Sequence, residues 1–275
     1  MVKELSGREL AGFVKERQAH LVRSLKGQKI FPKLVIFRDS DNPVITKYVA
    51  LKQAYGADIG VAVEDRVLQT ADLPAAIAAA NADPAVSAMS VQLPLTNPAA
   101  TDSTVSNIAP EKDVDGLSNK GNFDSATATA INWLLAGYDI DLANSKIALV
   151  GHGRLVGAPL ETMFKNSGFN VTVFRHGDDL AQLKNFDVVI TATGVPGLIQ
   201  ADFLKPGAVV VDAGTASEDG VLKGDLSASA RARTDLKALT PKLGGVGPLT
   251  VAVLFENVLF AAQKQAQSQA KTLNF

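Results

Sequence analysis

The chain has 275 residues, of which 47% are hydrophobic and 20% are charged, so it has the composition of a folded globular protein and the length for two modest domains. A net charge of −1 gives no positive field to gather nucleic acid or an anionic membrane, and neither is expected as a partner. The absence of cysteine excludes disulfides and thiolate metal sites. The start has no apolar leader, and uncharged stretches such as 125–138 are shorter than the ~20 residues that cross a bilayer. We expect a cytoplasmic protein.

The first third of the chain alternates between predicted helices and strands. Residues 4–26 carry apolar side chains at helical spacing, which predicts an amphipathic helix that stops at Gly27. The apolar run 33–38 predicts a buried strand, and a helix is expected from about Pro43 to Tyr55, closed by Gly56. The alternation continues through a strand at 58–63, a helix near 70–81 and a strand at 87–92. This order is typical of a parallel sheet with crossover helices.

A second series of apolar strands follows the middle of the chain, with helical segments expected between them. Its members are predicted at 146–150, 170–174, 187–191 and 208–212. The polar stretch 110–124 suits a connecting loop, so we place a domain boundary near 122, between lobes 1–122 and 123–249. The tail from about Pro248 to Thr272 is predicted to be helical, and its apolar start implies packing on a lobe. The fold class is therefore α/β with two lobes.

A glycine-rich segment, GHGRLVG, occupies residues 151–157, directly after a predicted strand and at the start of a helix. In a parallel sheet this is where a dinucleotide binds, because glycines let the backbone approach the pyrophosphate and free N–H groups attract its charge. The spacing of Gly151, Gly153 and Gly157 is one residue longer than the usual fingerprint. A tight turn without a ligand is the alternative, and the surrounding strand series favours the dinucleotide site.

The next strand ends at Arg175 and His176, where such a domain usually selects its cofactor. An acidic residue there binds a ribose hydroxyl, whereas an arginine accommodates a 2′-phosphate. Arg175 therefore favours NADP, with NAD left open. A solvated arginine at the end of a strand is the alternative interpretation.

Other residues taken alone indicate little. Tyr48 and Lys52 are four apart on a predicted helix and so share one face, which is a common surface feature. The segment KDVDGL (112–117) places Asp113 and Asp115 close together, but it lacks the remaining oxygen ligands of a calcium loop and is more typical of a turn. The three histidines have no ligand spacing, so no metal is expected. No serine-hydrolase elbow or P-loop occurs.

Five segments in order resemble the conserved blocks of one enzyme family. They are YVALK (48–52), VQLPL (91–95), PEKDVDGL (110–117), GHGRLVGAP (151–159) and TPKLGGVGPLT (240–250). Their order and separations resemble the bifunctional methylenetetrahydrofolate dehydrogenase/cyclohydrolase family over nearly the whole chain. The resemblance implies a folate-binding first lobe and a Rossmann-like NAD(P) lobe with a parallel sheet. It also implies a last helix, about 250–275, that returns to the first lobe, and a homodimer formed through the second.

The resemblance further implies two reactions and a set of site residues. The reactions are oxidation of 5,10-methylenetetrahydrofolate with NADP and hydrolysis of the methenyl product to 10-formyltetrahydrofolate. Lys52 would be the acid/base group, Gln92 would hydrogen-bond it, Tyr48 would stack on the pterin, and Asp115 would hold its polar edge. The implied folate-binding residues are Tyr48, Gln92, Leu93, Pro94, Asp115, Gly247 and Pro248. The implied cofactor-binding residues are Gly151, His152, Gly153, Arg154, Gly157, Arg175, His176, Thr193, Gly194 and Gly214.

Several positions depart from the family's pattern. Ile45 stands where a serine is common, and His152 and Gly153 replace an arginine and a serine. Residues 125–128 replace a Pro-Cys-Thr-Pro block, and 242–243 replace a Val-Pro pair. These departures indicate a divergent member. Two alternatives stay open: an NAD(P)-dependent dehydrogenase of another small substrate, and a non-catalytic folate- or nucleotide-binding paralogue. Retention of the three residues Lys52, Gln92 and Asp115 favours catalysis.

Overall fold

A computed structural model describes residues 1–118, 120–218 and 221–273. Its chain divides into two compact units. We call them the six-stranded unit, Met1–Ala11 with Thr127–Thr250, and the three-stranded unit, Gly12–Ala126 with Val251–Phe275.

The elements alternate along both units. The strands are β1 Lys3–Glu4, β2 Lys33–Arg38, β3 Ala62–Val67, β4 Ala88–Val91, β5 Ile147–Val150, β6 Val171–Phe174, β7 Val188–Thr191, β8 Val209–Asp212, β9 Ala216–Glu218, β10 Val221–Lys223 and β11 Ala238–Leu239. The α-helices are α1 Gly7–Gly27, α2 Pro43–Ile59, α3 Leu73–Ala82, α4 Thr101–Val105, α5 Ala126–Gly137, α6 Gly157–Asn166, α7 Ala228–Arg231 and α8 Val246–Leu273.

The three-stranded unit is built on a parallel sheet in the order β3-β2-β4. Residues 34–37 of the central strand β2 are fully buried, which explains why these four positions are all apolar. Its side chains Val35 and Phe37 pack with Leu73 and Ile77 of α3 and with Met89 of β4. Since β3 and β4 flank the first strand on opposite sides, the loops that follow β2 and β4 meet at one edge, the carboxyl end of the sheet.

The predicted end of α2 is wrong. The helix runs through Gly56 and ends at Ile59, where Gly60 adopts the left-handed conformation with φ 84°. Gly56 is buried inside the helix, and a Cβ placed on it would lie 2.5 Å from Cγ2 of Val63. The glycine therefore permits close packing of α2 on β3 rather than ending the helix. As a result β3 begins at Ala62, four residues later than predicted.

The six-stranded unit contains a wholly parallel sheet in the order β1-β11-β8-β7-β5-β6. The strands β5 to β8 lie within one residue of their predicted bounds. The predicted opening helix, 4–26, overlaps the two-residue strand β1 at Glu4 and instead begins at Gly7. In this sheet β6 and β7 lie on opposite sides of β5, so the carboxyl end of β5 is the point at which a ligand crevice opens.

The last helix, α8, confirms the predicted helical tail, and its larger part belongs to the three-stranded unit. Gln18 of α1 donates to the carbonyl oxygen of Ala252 at 2.8 Å and to Glu256 at 2.9 Å. Tyr55 donates to Gln18 at 2.8 Å and stacks on Phe255, and burial raises the pKa of this tyrosine. By length and composition α8 could cross a membrane, but more than half of its apolar stretch is buried, as in the core helix of a folded protein.

Candidate active site

Three of the predicted catalytic side chains meet at the carboxyl end of the three-stranded sheet. Lys52 extends from α2, Gln92 follows β4, and Asp115 lies in the segment between α4 and α5. The Lys52 amine donates to Oε1 of Gln92 at 3.3 Å and lies 3.7 Å from Oδ2 of Asp115. The lysine side chain is 12% exposed and the aspartate 20%. An amine held between an amide oxygen and a carboxylate, at the edge of solvent, can exchange protons with a bound molecule.

The groups around the amine are themselves fixed. The hydroxyl of Ser90 donates to Oδ2 of Asp115 at 2.7 Å. The backbone N–H of Gln92 donates to the carbonyl oxygen of Phe37 at 2.7 Å. The side-chain nitrogen of Gln92 donates to the carbonyl oxygen of Leu93 at 3.3 Å. The second bond fixes which end of the amide faces Lys52. The sequence analysis missed Ser90, although it stands two residues before Gln92 and so shares its face in an extended segment.

The remaining predicted folate residues of this unit lie nearby in sequence. Tyr48 stands one helical turn before Lys52 on α2 and is partly buried. Leu93 is partly buried, Pro94 is exposed, and a cis peptide bond joins the two. Side chains four apart on a helix are neighbours, so the ring of Tyr48 lies on the same face as the amine.

The segment KDVDGL forms a turn that supports Asp115. Lys112 caps the end of α3 by donating to three backbone carbonyl oxygens, and burial lowers the pKa of Lys112. The carboxylate of Asp113 is fully buried and accepts hydrogen bonds from the backbone of Leu117 and from Ser118. Within the described ranges 1–118, 120–218 and 221–273, no group of three or more acidic or histidine side chains could hold a metal ion.

The glycine-rich segment forms a turn between β5 and α6 in the six-stranded unit. The backbone N–H of Gly151 donates to the carbonyl oxygen of Phe174 in β6 at 2.9 Å. A Cβ on Gly157 would collide with the carbonyl oxygen of Gly151, whereas Gly153 has open space around it among the described atoms. The N-cap of α6, Val156, makes no side-chain capping bond within the described residues. The open space beside Gly153 and a helix start without a side-chain cap fit the phosphates of a dinucleotide.

Gly157→Ala tests this turn. Because the added methyl group meets a backbone carbonyl, the turn has to open, and we expect a loss of about 1–3 kcal/mol in the free energy of unfolding and at least a tenfold weaker dinucleotide affinity. Thermal denaturation and fluorescence titration measure the two effects. Gly168→Ala is a control because nothing lies near its Cβ, although its positive φ costs some stability. Unchanged dinucleotide affinity in Gly157→Ala would exclude the turn from the site.

Two predicted residues lie within the turn, and two directly follow β6. His152 hydrogen-bonds Glu161 of α6 at 2.5 Å, while Arg154 is partly buried. Arg175 and His176 are both exposed after β6. The backbone N–H of Arg175 donates to Asp178 at 2.7 Å, which closes the turn and leaves the guanidinium on the surface at the carboxyl end of the strand.

Two buried aspartates that the sequence analysis missed hold the predicted cofactor loops. The carboxylate of Asp225 accepts from the backbone of Thr193 at 2.7 Å. Asp212, the last residue of β8, accepts from the backbone of Gly214 at 3.1 Å and forms an ion pair with Arg231. Burial raises the pKa of Asp212. The signal for it was available, since a single acid ends the apolar run AVVVD.

The ligand contacts predicted for Gly194, Gly247 and Pro248 stay predictions. Gly194 is exposed directly after Thr193. Gly247 is exposed and Pro248 is partly buried in the first turn of α8, which belongs to the six-stranded unit. Their predicted contacts are with the cofactor for Gly194 and with the folate for Gly247 and Pro248.

A parallel sheet with a glycine-rich turn between β5 and α6, together with a second α/β unit that carries a partly buried lysine, is typical of a two-domain, dinucleotide-dependent enzyme. The chain belongs to the tetrahydrofolate dehydrogenase/cyclohydrolase family. Residues 5–115 match the model of its catalytic domain and residues 125–266 that of its NAD(P)-binding domain. The resemblance and the fold class predicted from the sequence are thereby confirmed.

Individual relatives cover nearly the whole chain. The bifunctional protein FolD of Lacticaseibacillus casei (strain BL23) is 35% identical over 97% of this chain and 99% of its own length. The crystal structure of the bifunctional enzyme FolD from Campylobacter jejuni has a TM-score of 0.90 at 30% identity, covering 96% of this chain and 99% of that one. The dehydrogenase-cyclohydrolase of Trypanosoma brucei, in complex with NADP and an inhibitor, has a TM-score of 0.88 at 27% identity, covering 96% and 98%.

Proposed function

We propose that this protein oxidises 5,10-methylenetetrahydrofolate to 5,10-methenyltetrahydrofolate with NADP and hydrolyses the methenyl form to 10-formyltetrahydrofolate. Membership of the family supports both reactions. The observation that carries the proposal is the Lys52 amine, held 3.3 Å from Gln92 and 3.7 Å from Asp115 in the three-stranded unit. A non-catalytic paralogue would not need these three groups together.

In the hydrolysis, water adds to the methenyl carbon and loses one proton, which gives a neutral hydroxyl adduct. The hydroxyl then loses its proton as the formyl C=O forms and the bond from the carbon to N5 breaks, and N5 takes up one proton, so one proton is released overall. Lys52 is the group that accepts and returns the proton. Gln92 holds the amine through its amide oxygen, and Ser90 holds Asp115 through a 2.7 Å hydrogen bond. Asp115 binds the polar edge of the pterin, and Tyr48 stacks on its ring.

The dinucleotide supplies the hydride acceptor for the oxidation. The chain's own residues bind it in the six-stranded unit, through the turn of Gly151, Gly153 and Gly157 and the loops at Thr193 and Gly214. Within the described residues, the open space beside Gly153 and the start of α6 without a side-chain cap support this assignment. His152, Arg154, Arg175, His176 and Gly194 complete the proposed set.

The assignment of the domains and the assembly are also part of the proposal. The predicted lobe 1–122 with about 250–275 is the folate-binding domain and 123–249 is the dinucleotide-binding domain, except that residues 1–11, which include β1, belong to the six-stranded unit. The protein acts in the cytoplasm as a homodimer, without nucleic acid or membrane as a partner. Size-exclusion chromatography with light scattering measures the dimer, and a monomeric mass at working concentration contradicts it.

An absorbance assay of the purified protein tests the function. With methylenetetrahydrofolate and NADP we expect reduced dinucleotide to appear, and with methenyltetrahydrofolate we expect hydrolysis above the uncatalysed rate. Each dinucleotide is tested in turn, so the same assay decides between NADP and NAD. No reduction with either dinucleotide would contradict the oxidation, and a background rate of methenyl loss would contradict the hydrolysis.

Arg175→Ala tests the preference for NADP. A guanidinium that meets the 2′-phosphate makes a charge-assisted contact, so the KM for NADP should rise about tenfold or more while the KM for NAD changes less than twofold. Steady-state kinetics with both dinucleotides measure the difference. Lys184→Ala, a loss of another cation in this unit, is the control. Equal changes for the two cofactors in Arg175→Ala would remove this side chain from the site.

A further inference from the structure

Arg38 is a buried arginine at the carboxyl end of β2 for which the proposed chemistry has no use. Its side chain is 8% exposed. The guanidinium donates two hydrogen bonds to the carboxylate of Asp65 in β3, from Nε at 3.0 Å and from Nη2 at 2.9 Å. Its remaining nitrogen, Nη1, donates to the carbonyl oxygen of Ser40 and to Asp41, each at 2.8 Å. The planar guanidinium therefore connects β2 and β3 to the loop that precedes α2.

The loop held by Arg38 sets the start of α2. The hydroxyl of Ser40 accepts from the backbone of Asn42 at 3.1 Å. Asn42 is the N-cap of α2, and its side-chain oxygen accepts from the backbone of Val44 at 2.9 Å. Hydrogen bonds made by Ser40 and Asn42 therefore connect Arg38 to the first turn of α2, the helix that carries Lys52.

Asp39, the next residue, holds the opposite side of the cluster. Its carboxylate accepts from the backbone of Thr96 at 3.1 Å and from the hydroxyls of Thr96 at 2.7 Å and Thr70 at 2.6 Å. Partial burial acts to raise the pKa of Asp39, but these hydrogen bonds outweigh it and keep that pKa below its ordinary value. Thr96 lies four residues after Gln92, in the loop that follows β4. Asp39 therefore ties the Gln92 segment to the end of β2.

We propose that Arg38 and Asp39 are positioning residues that set the separation between the Lys52 amine and the Gln92 amide. This inference rests on the proposed hydrolysis and adds the groups that hold its geometry. One residue anchors the helix of the lysine, the other anchors the loop of the glutamine, and both belong to the same strand end. We call Arg38 and Asp39 together the clamp, because they hold the two segments that carry Lys52 and Gln92.

The clamp has a physical consequence because the lysine–glutamine contact is already long. At 3.3 Å it lies beyond the usual 2.7–3.2 Å range, so a further shift of α2 by a few tenths of an ångström breaks it. Misplacement of a catalytic group by about 1 Å costs on the order of 10²-fold in rate. Loss of one side of the clamp is expected to lower the rate of hydrolysis about tenfold.

The test compares Arg38→Lys, Arg38→Met and Asp39→Asn with Lys33→Met in the otherwise complete protein. Lys33 is a matched control because it begins the same strand and pairs with Glu64 of β3 at 2.6 Å. For each variant, kcat and KM of methenyl hydrolysis, its pH profile, kcat of the oxidation and the thermal midpoint are measured. Arg38→Lys keeps the positive charge but loses the paired hydrogen bonds to Asp65. It is the variant expected to fold even if Arg38→Met does not.

We expect kcat of hydrolysis to fall about tenfold in Arg38→Lys and Asp39→Asn and further in Arg38→Met. The pH profile of hydrolysis should shift, and kcat of the oxidation should change less than threefold. Lys33→Met should keep the parent rates even if its thermal midpoint falls. Hydrolysis that declines only in proportion to thermal stability, as in the control, would overturn the clamp while leaving the proposed function intact. A parent protein without hydrolysis would overturn both.

Discussion

Lys52→Met is expected to abolish hydrolysis of methenyltetrahydrofolate while a measurable oxidation of methylenetetrahydrofolate remains. The two reactions make different demands, because hydride transfer needs aligned rings whereas hydrolysis needs a group that takes and returns a proton. A positioned acid/base group contributes about 10²–10⁴-fold. Methionine keeps the length and the helix propensity of lysine but removes the amine that lies 3.3 Å from Gln92. The methenyl product should therefore accumulate during oxidation.

The measurement follows both reactions in one sample, by the reduced dinucleotide and by the methenyl absorbance. Lys47→Met is a matched control, since Lys47 lies five residues earlier on α2 and is exposed. It should hydrolyse at the parent rate. If Lys52→Met also hydrolysed at the parent rate, the acid/base assignment would fail. Gln92→Ala should shift the pH profile of hydrolysis, because the amide oxygen that holds the amine is lost.

Buried strands were the most predictable elements of this fold. β2 lies at its predicted bounds, since burial on both faces requires an apolar run and residues 34–37 supply one. Where the prediction failed, a contact with another element decided the outcome. Gly56 has the sequence signature of a helix end, but its missing side chain serves the packing of α2 on Val63 instead. β1 has two residues and pairs with β11, more than two hundred positions away, so no local periodicity reveals it.

The site shows the same division between local and long-range information. The spacing of Tyr48 and Lys52 places both on one helix face, but only the resemblance to a family nominated Gln92 and Asp115 as partners of the lysine. The geometry brings the latter two within 4 Å of the amine, and their catalytic roles remain predictions. The supporting groups were missed, because the bonds of Ser90 to Asp115 and of Arg38 to Asp65 join segments 25 and 27 residues apart.

Asp115→Ala is expected to weaken folate binding and to lower both activities, with the dinucleotide affinity nearly unchanged. The carboxylate belongs to the three-stranded unit, whereas the glycine-rich turn belongs to the six-stranded unit. Loss of a partly buried, charged hydrogen-bond acceptor costs about 1.5–3 kcal/mol, which corresponds to roughly 10–150-fold in affinity. The variant also removes the acceptor of Ser90 and the negative charge 3.7 Å from the Lys52 amine, so hydrolysis should suffer more than oxidation.

A second variant separates the charge of Asp115 from its hydrogen bonds. Asp115→Asn retains an oxygen that accepts from Ser90, so folate affinity should recover in part if hydrogen bonding dominates and should stay low if the charge does. Glu111→Gln is the control, because Glu111 is an exposed acid in the same loop. Titration calorimetry with tetrahydrofolate and with NADP measures both affinities. If folate bound Asp115→Ala with the parent affinity, the role of KDVDGL would be confined to the turn that Lys112 and Asp113 hold in place.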